Sequence, residues 1–117
     1  MKHPERVEDY LEHIAPAIER AIAYVKQFDS VEALQRNQQA QDAVIRNIEI
    51  IGEAASRVQR EQPEFVTAHP ELPWIEMRGM RNKMIHNYFD VSLEIVWNTI
   101  KDDLPRLKQQ IDALLKR

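Results

Sequence analysis

Four side chains of unusual type for a bundle core fall within nine residues: Arg78, Arg81, Asn82 and His86. On a helical wheel that starts at Trp74, the apolar residues Met77, Met84, Ile85 and Tyr88 lie within roughly 80° of it and form one stripe. Arg81 falls in the middle of that stripe. A guanidinium that leaves water without a partner costs several kcal/mol, so Arg81 must meet a carboxylate, a phosphate, carbonyl groups or water. Two structural readings satisfy that need: an arginine that snorkels from a bundle edge, or a structural ion pair. A third is functional, an anion site in a cleft. Arg78, Asn82 and His86 follow one another at four-residue spacing and make a polar row beside the stripe. No acidic residue occurs from Met77 to Phe89, whereas Arg78, Arg81 and Lys83 all do. The segment therefore carries a positive local field, and the cluster favours anion binding more than any one of its members would.

The spacing of the pair poses a geometric problem. Arg81 and His86 are five residues apart, roughly 140° around an ideal helix. Undistorted helix cannot point them the same way. Either the helix frays near His86, or both side chains curve around one groove, or a two-fold-related chain completes the cleft. Periodicity leaves these three open.

The elements that must position this segment are helices. Val7, Tyr10, Leu11, Ile14, Ile18, Ala21, Ile22, Val25 and Phe28 follow helical spacing, with Pro16 inside the pattern as an expected kink. Asp29 with Glu32 reads as a capping box that restarts the chain. A second helix is expected from about Asn37 to Gln62, its apolar residues covering an arc of roughly 160°, wide enough for two neighbours. Asn47 sits in the centre of that arc. A buried amide needs partners, which are a backbone carbonyl or water on the simplest reading, or the arginine-bearing helix on the sharper one. Pro63, Pro70 and Pro73 mark a connection of little helical character, pinned by Phe65 and Val66. A third helix should start near Trp74 and end between His86 and Asp90. Asp90 or Ser92 caps a fourth, which Pro105 should kink or interrupt. The sum is an all-α bundle of four to five helices, one domain over residues 1–117.

Composition narrows the function classes. The chain has two glycines and no cysteine, and 44% of its 117 residues are hydrophobic. So few glycines argue against an all-β domain, and the lack of cysteine excludes disulfides and thiolate metal sites. No apolar run reaches the roughly 20 residues of a membrane span. A cytoplasmic location is the simplest expectation, with no membrane partner. Net charge is -3, which does not suit non-specific coating of nucleic acid but leaves room for a local basic site. No histidine has metal-ligand spacing, and no phosphate loop, nucleophile elbow or dinucleotide fingerprint is present, so neither metal nor cofactor is expected.

Arg81-Asn82-x-x-x-His86-x-Tyr88 resembles the motif of the HepT-like branch of the HEPN superfamily: arginine, four residues, histidine, any residue, tyrosine. Asn82 is the kind of polar residue the wider superfamily favours after the arginine. The surroundings agree, at Asp9-Tyr10-Leu11-Glu12-His13-Ile14, from Ala43 through Ile51-Gly52-Glu53-Ala54, and from Val96-Trp97 to Asp103-Leu104-Pro105. The resemblance implies a HEPN-type bundle that forms a two-fold homodimer, both motifs lining the cleft between subunits. It implies metal-independent cleavage of RNA by a toxin whose neighbour-encoded MNT-type nucleotidyltransferase antitoxin transfers AMP to Tyr88. On that reading Arg81 stabilises charge at the phosphate and His86 moves protons, with Arg78, Asn82, Lys83 and Asn47 supporting the site or the RNA. The rival is a dimeric, non-catalytic helical module whose groove binds a protein or a nucleotide.

Overall fold

A computed structural model describes residues 6–87 and 90–116, with backbone only at 81, 83–87, 90 and 91. Helices are α1 (Val7–Val25), α2 (Val31–Gln35), α3 (Gln38–Glu61), α4 (Pro63–Ala68), α5 (Trp74–Met84), α6 (Leu93–Asn98) and α7 (Leu104–Leu115). A π-helical turn, Thr99–Asp103, joins α6 to α7. Between α5 and α6 lie two short antiparallel strands, β1 (Ile85–Asn87) and β2 (Asp90–Val91), with Ile85 opposite Val91. Apart from this strand pair the described architecture is the all-α bundle that the periodicity implies. None of its helices is long and apolar enough to cross a membrane, among the described residues.

The core forms where the apolar stripes meet. Tyr10, Leu11, Ile14, Ile18, Ala21 and Val25 of α1 are buried, and so are Val44, Ile48, Ile51, Ala55 and Val58 of α3. These stripes face each other along the two longest helices, α7 closes the other side of α1, and α5 packs on the far flank of α3. Each buried leucine or isoleucine is worth about 1.5–3 kcal/mol, which is how an exposed outer face full of charge is tolerated.

Helix boundaries follow side-chain chemistry. Asn37 caps α3, its Oδ1 accepting from the Ala40 N–H at 3.0 Å, so the expected start is met within a residue. Two expectations need correction. The cap of α2 is Ser30, whose hydroxyl accepts from the Ala33 N–H, rather than Asp29. The proline-marked connection also contains a helical turn and a half, because Pro63 occupies the first turn of α4, where its missing N–H costs nothing. Pro16 lies within a continuous α1. At Pro105 the fold makes an adjustment: the preceding turn widens so that the Leu104 N–H reaches the Thr99 carbonyl. A wide turn relieves the clash of a proline ring with the carbonyl four residues back.

Candidate functional site

The site is built from α5 outward. Met77 donates its N–H to the Pro73 carbonyl at 2.9 Å, which fixes the first turn of α5. Trp74 is buried, donates from its indole Nε1 to the His69 carbonyl at 2.9 Å, and meets the Phe65 ring edge-on at 6.0 Å between centroids. With Met77 and Met80 also buried, three side chains at i, i+3 and i+6 tie the helix to the core. Phe65 and Val66 pack partly buried against the same core, as the sequence suggests.

Gly52 sets how closely α5 approaches α3. A β-carbon built there would lie 3.3 Å from the Met77 carbonyl oxygen and 3.7 Å from that of Arg78. With no side chain at this point, the backbone of α5 settles almost onto α3. Above Gly52 the two helices enclose an open groove of about 490 Å³. Helix α3 contributes Arg46, Glu49, Glu53 and Ser56 to it, and α5 contributes Arg78 and Asn82. The four-residue spacing of Arg78 and Asn82 thus does put both on one wall, as their row predicts.

Helix α5 ends at Met84, earlier than the expected His86–Asp90 boundary. Ile85, His86 and Asn87 are extended, a run of a β-branched residue and two weak helix formers. Arg81 and Lys83 occupy the last helical turn, where cations suit the negative end of the helix dipole. The backbone therefore changes type between Arg81 and His86. The 140° separation that troubles an ideal helix does not apply to this pair, since the two residues are on different elements. The side chains of Arg81, Lys83 and His86, and Tyr88 altogether, lie outside the described residues.

Asn47 is only 5% exposed, as its place in the apolar arc predicts. Its Nδ2 donates to the Ala43 carbonyl at 2.8 Å, and its Oδ1 accepts from Arg20 Nε at 2.9 Å. The bonds described for this amide run to its own helix and to α1. Among the described residues it has no bond to the motif helix.

A second groove, about 320 Å³, lies on the other side of the exposed face of α3, between α3 and α1. Tyr10, His13, Ile50, Ala54 and Arg57 line it, and Arg46 and Glu53 border both grooves. Tyr10 donates from its hydroxyl to both Glu61 carboxylate oxygens at 3.0 Å. Arg57 Nε donates to Glu53 at 3.1 Å. That bond, and a lesser one involving Tyr10, hold the Arg57 guanidinium pKa above its ordinary value. Arg46, Glu49 and Ser56 go unnoticed in the sequence. They do recur at helical spacing opposite the apolar arc, but any solvated helix face shows the same signal. Among the described residues no three histidines, aspartates or glutamates converge as metal ligands would.

Comparison with known proteins bears on these observations. The family model described as ribonuclease HepT-like matches residues 14–114. A protein of Thermococcus cleftensis named "Probable ribonuclease HepT" is 42% identical over 93% of this chain and 96% of its own length. A protein of Caldanaerobacter subterraneus subsp. tengcongensis, named as a "Putative RNase", is 39% identical over 92% of this chain and 93% of its own. Another "Putative RNase", from Methanocaldococcus jannaschii, is 34% identical over 92% and 95%. No solved structure matches the chain. With most of the bundle and the whole motif segment inside the matched region, the chain belongs to the ribonuclease HepT-like family of the HEPN superfamily.

Proposed function

We propose that this chain is a metal-independent endoribonuclease, the toxin of a toxin–antitoxin pair, and that it acts as a two-fold dimer. The observation that carries the reading is the change of backbone from helix to strand between Arg81 and His86, in a chain whose full-length relatives are named as ribonucleases. Two residues on a helix end and an adjoining strand need not diverge as they would on one helix. On the helix that carries Arg81, the polar wall of Arg78 and Asn82 gives RNA a place to lie.

The chemistry suits these residue types. The 2′-oxygen of one nucleotide attacks the adjacent phosphorus and loses its proton. The bond from phosphorus to the 5′-oxygen breaks, and that oxygen takes up a proton, leaving a 2′,3′-cyclic phosphate. His86 moves one of these protons, since imidazole titrates near neutrality. Arg81 holds the non-bridging oxygens as charge develops on them, through its planar pair of donors. Arg78, Asn82 and Lys83 bind the RNA on either side. An MNT-type nucleotidyltransferase antitoxin silences the site by transferring AMP to Tyr88, which places an anion and a bulky nucleoside two residues from His86.

The test is cleavage of a labelled RNA in chelator by the unaltered protein and by Arg81→Ala and His86→Ala. Each substitution should lower the rate by at least ~100-fold with the fold intact. Full activity in both variants, or loss of wild-type activity in chelator, contradicts the mechanism. Absence of RNA cleavage by the unaltered protein would favour the alternative, a dimeric, non-catalytic helical module whose groove binds a protein or a nucleotide.

A further inference from the structure

The face of α3 that the proposed mechanism leaves unused has a distinctive construction. Arg46 is exposed on a ridge, and a groove lies on each side of it. The two grooves differ in character. The one toward α5 presents hydrogen-bonding groups, the Ser56 hydroxyl, the Asn82 amide and the carboxylates of Glu49 and Glu53, over the bare backbone at Gly52. The one toward α1 has an apolar floor, Ile50 and Ala54, with the His13 ring at its edge. Volumes of about 490 and 320 Å³ fall in the range of roughly 300–1,000 Å³ typical of small-ligand sites.

We propose that this face reads two successive nucleotides of single-stranded RNA, with Arg46 holding the phosphate that joins them; the inference rests on the ribonuclease reading above. Arg46 and Glu53 both border the two base-sized recesses, and the Glu53 carboxylate is held by Arg57 Nε at 3.1 Å, so Arg46 is the group on this ridge suited to the phosphate between two bases. Single strands can splay their bases in this way, and paired strands cannot. The groove toward α5 hydrogen-bonds a base edge. The two carboxylates can accept both hydrogens of an exocyclic amino group, whereas uracil offers them one N–H, and Arg78 on the opposite wall donates to a ring nitrogen or carbonyl of either kind of base. A carboxylate that already accepts one bond keeps capacity for others, as Glu53 does beside Arg57. The groove toward α1 takes the neighbouring base by apolar contact with Ile50 and Ala54, a surface that does not distinguish base edges. Asn82, which lines the polar groove, follows Arg81 directly on α5, and the dinucleotide read there is assigned to the strand next to the cut.

The experiment measures binding of fluorescein-labelled 2′-O-methyl tetranucleotides, which cannot undergo 2′-oxygen attack, to the full chain. Arg46→Ala should weaken binding about tenfold, as expected for one charged hydrogen-bonding contact. It should also lower the slope of log affinity against log salt by about 0.7, one phosphate's share on a single strand. Arg106→Ala, an exposed arginine on α7, should change neither. In cleavage of ordinary RNA, Arg46→Ala should raise KM and leave kcat unchanged. Oligo(A) should bind more tightly than oligo(U). Equal binding by the Arg46→Ala and Arg106→Ala variants overturns the phosphate assignment, and equal binding of oligo(A) and oligo(U) overturns the base reading, while the ribonuclease reading survives either result. A wild-type protein that neither binds nor cuts RNA removes both.

Discussion

Gly52→Ala tests whether the contact between α3 and α5 governs the motif helix. Two opposed effects act on the substitution. Within a helix, alanine is favoured over glycine by roughly 1 kcal/mol, so an unhindered replacement should stabilise the fold by that amount. Against this, the new β-carbon would stand 3.3 Å from the Met77 carbonyl oxygen and 3.7 Å from that of Arg78. Relief requires the α5 backbone to retreat by a few tenths of an ångström. Retreat is resisted because Trp74, Met77 and Met80 are all buried at the same helix and Trp74 is bonded to the His69 carbonyl. Overpacking of this kind typically costs about 1–3 kcal/mol. The net expectation is a loss of up to about 2 kcal/mol, or several degrees in Tm for a domain of this size. Whatever retreat occurs is passed along α5 to the residues it carries, so RNA cleavage should fall more than stability does. Gly52→Val, with two further carbons in the same space, should be worse on both counts. Thermal unfolding and initial cleavage rates on the same preparations decide the matter. A Gly52→Ala protein about 1 kcal/mol more stable than the parent and fully active would show that α5 yields freely, and the argument that this glycine sets the motif helix would be wrong.

The remaining predictions concern the bundle, the assembly and its control. Asn47→Leu removes the acceptor of Arg20 Nε and should cost about 1–3 kcal/mol by urea unfolding; unchanged stability would mean that water replaces the bond. Sedimentation at micromolar concentration should give twice the monomer mass, and a clean monomer would eliminate a cleft shared by two chains. Incubation with the cognate nucleotidyltransferase and ATP should add AMP at Tyr88 and abolish cleavage. A Tyr88→Phe protein that the transferase silences as fully as the parent would refute that mode of control.

Much of the fold can be read in the sequence because the two long helices state their burial plainly. The apolar positions of α1 and α3 recur at helical spacing over many turns, and most of them are buried. The caps are less legible, since Asp29, Ser30 and Glu32 all suit a helix start, and only the Ser30 hydroxyl is within reach of the Ala33 N–H. Pro63 misleads in a related way. A proline that marks a break also suits the first turn of the next helix, and only the packing of Phe65 and Val66 decides between them. Pro105 signals an irregularity without naming it. The answer is a widened turn upstream of the proline, the place where its ring would otherwise collide with a carbonyl.

The site is legible in a different way: its residue types can be read, but their geometry cannot. Arg78 and Asn82 show themselves as a pair because both lie on the same helix, where spacing fixes direction. Arg81 and His86 do not, because the chain leaves the helix between them, and wheel arithmetic assumes one continuous element. The β-branched Ile85 and the weak helix formers after it are the local cause, but such runs also occur within helices that tertiary packing holds together. Pairing of Ile85 with Val91 decides the outcome, and that is a contact between residues six apart on two strands, invisible to helical periodicity. The opposite wall shows the same limit. Arg46, Glu49 and Ser56 read as a solvated face until α5 is laid beside them, and what allows it to lie there is Gly52, a residue that shows no side chain to notice. A groove between two helices is a property of their distance, and here that distance is set by the missing β-carbon.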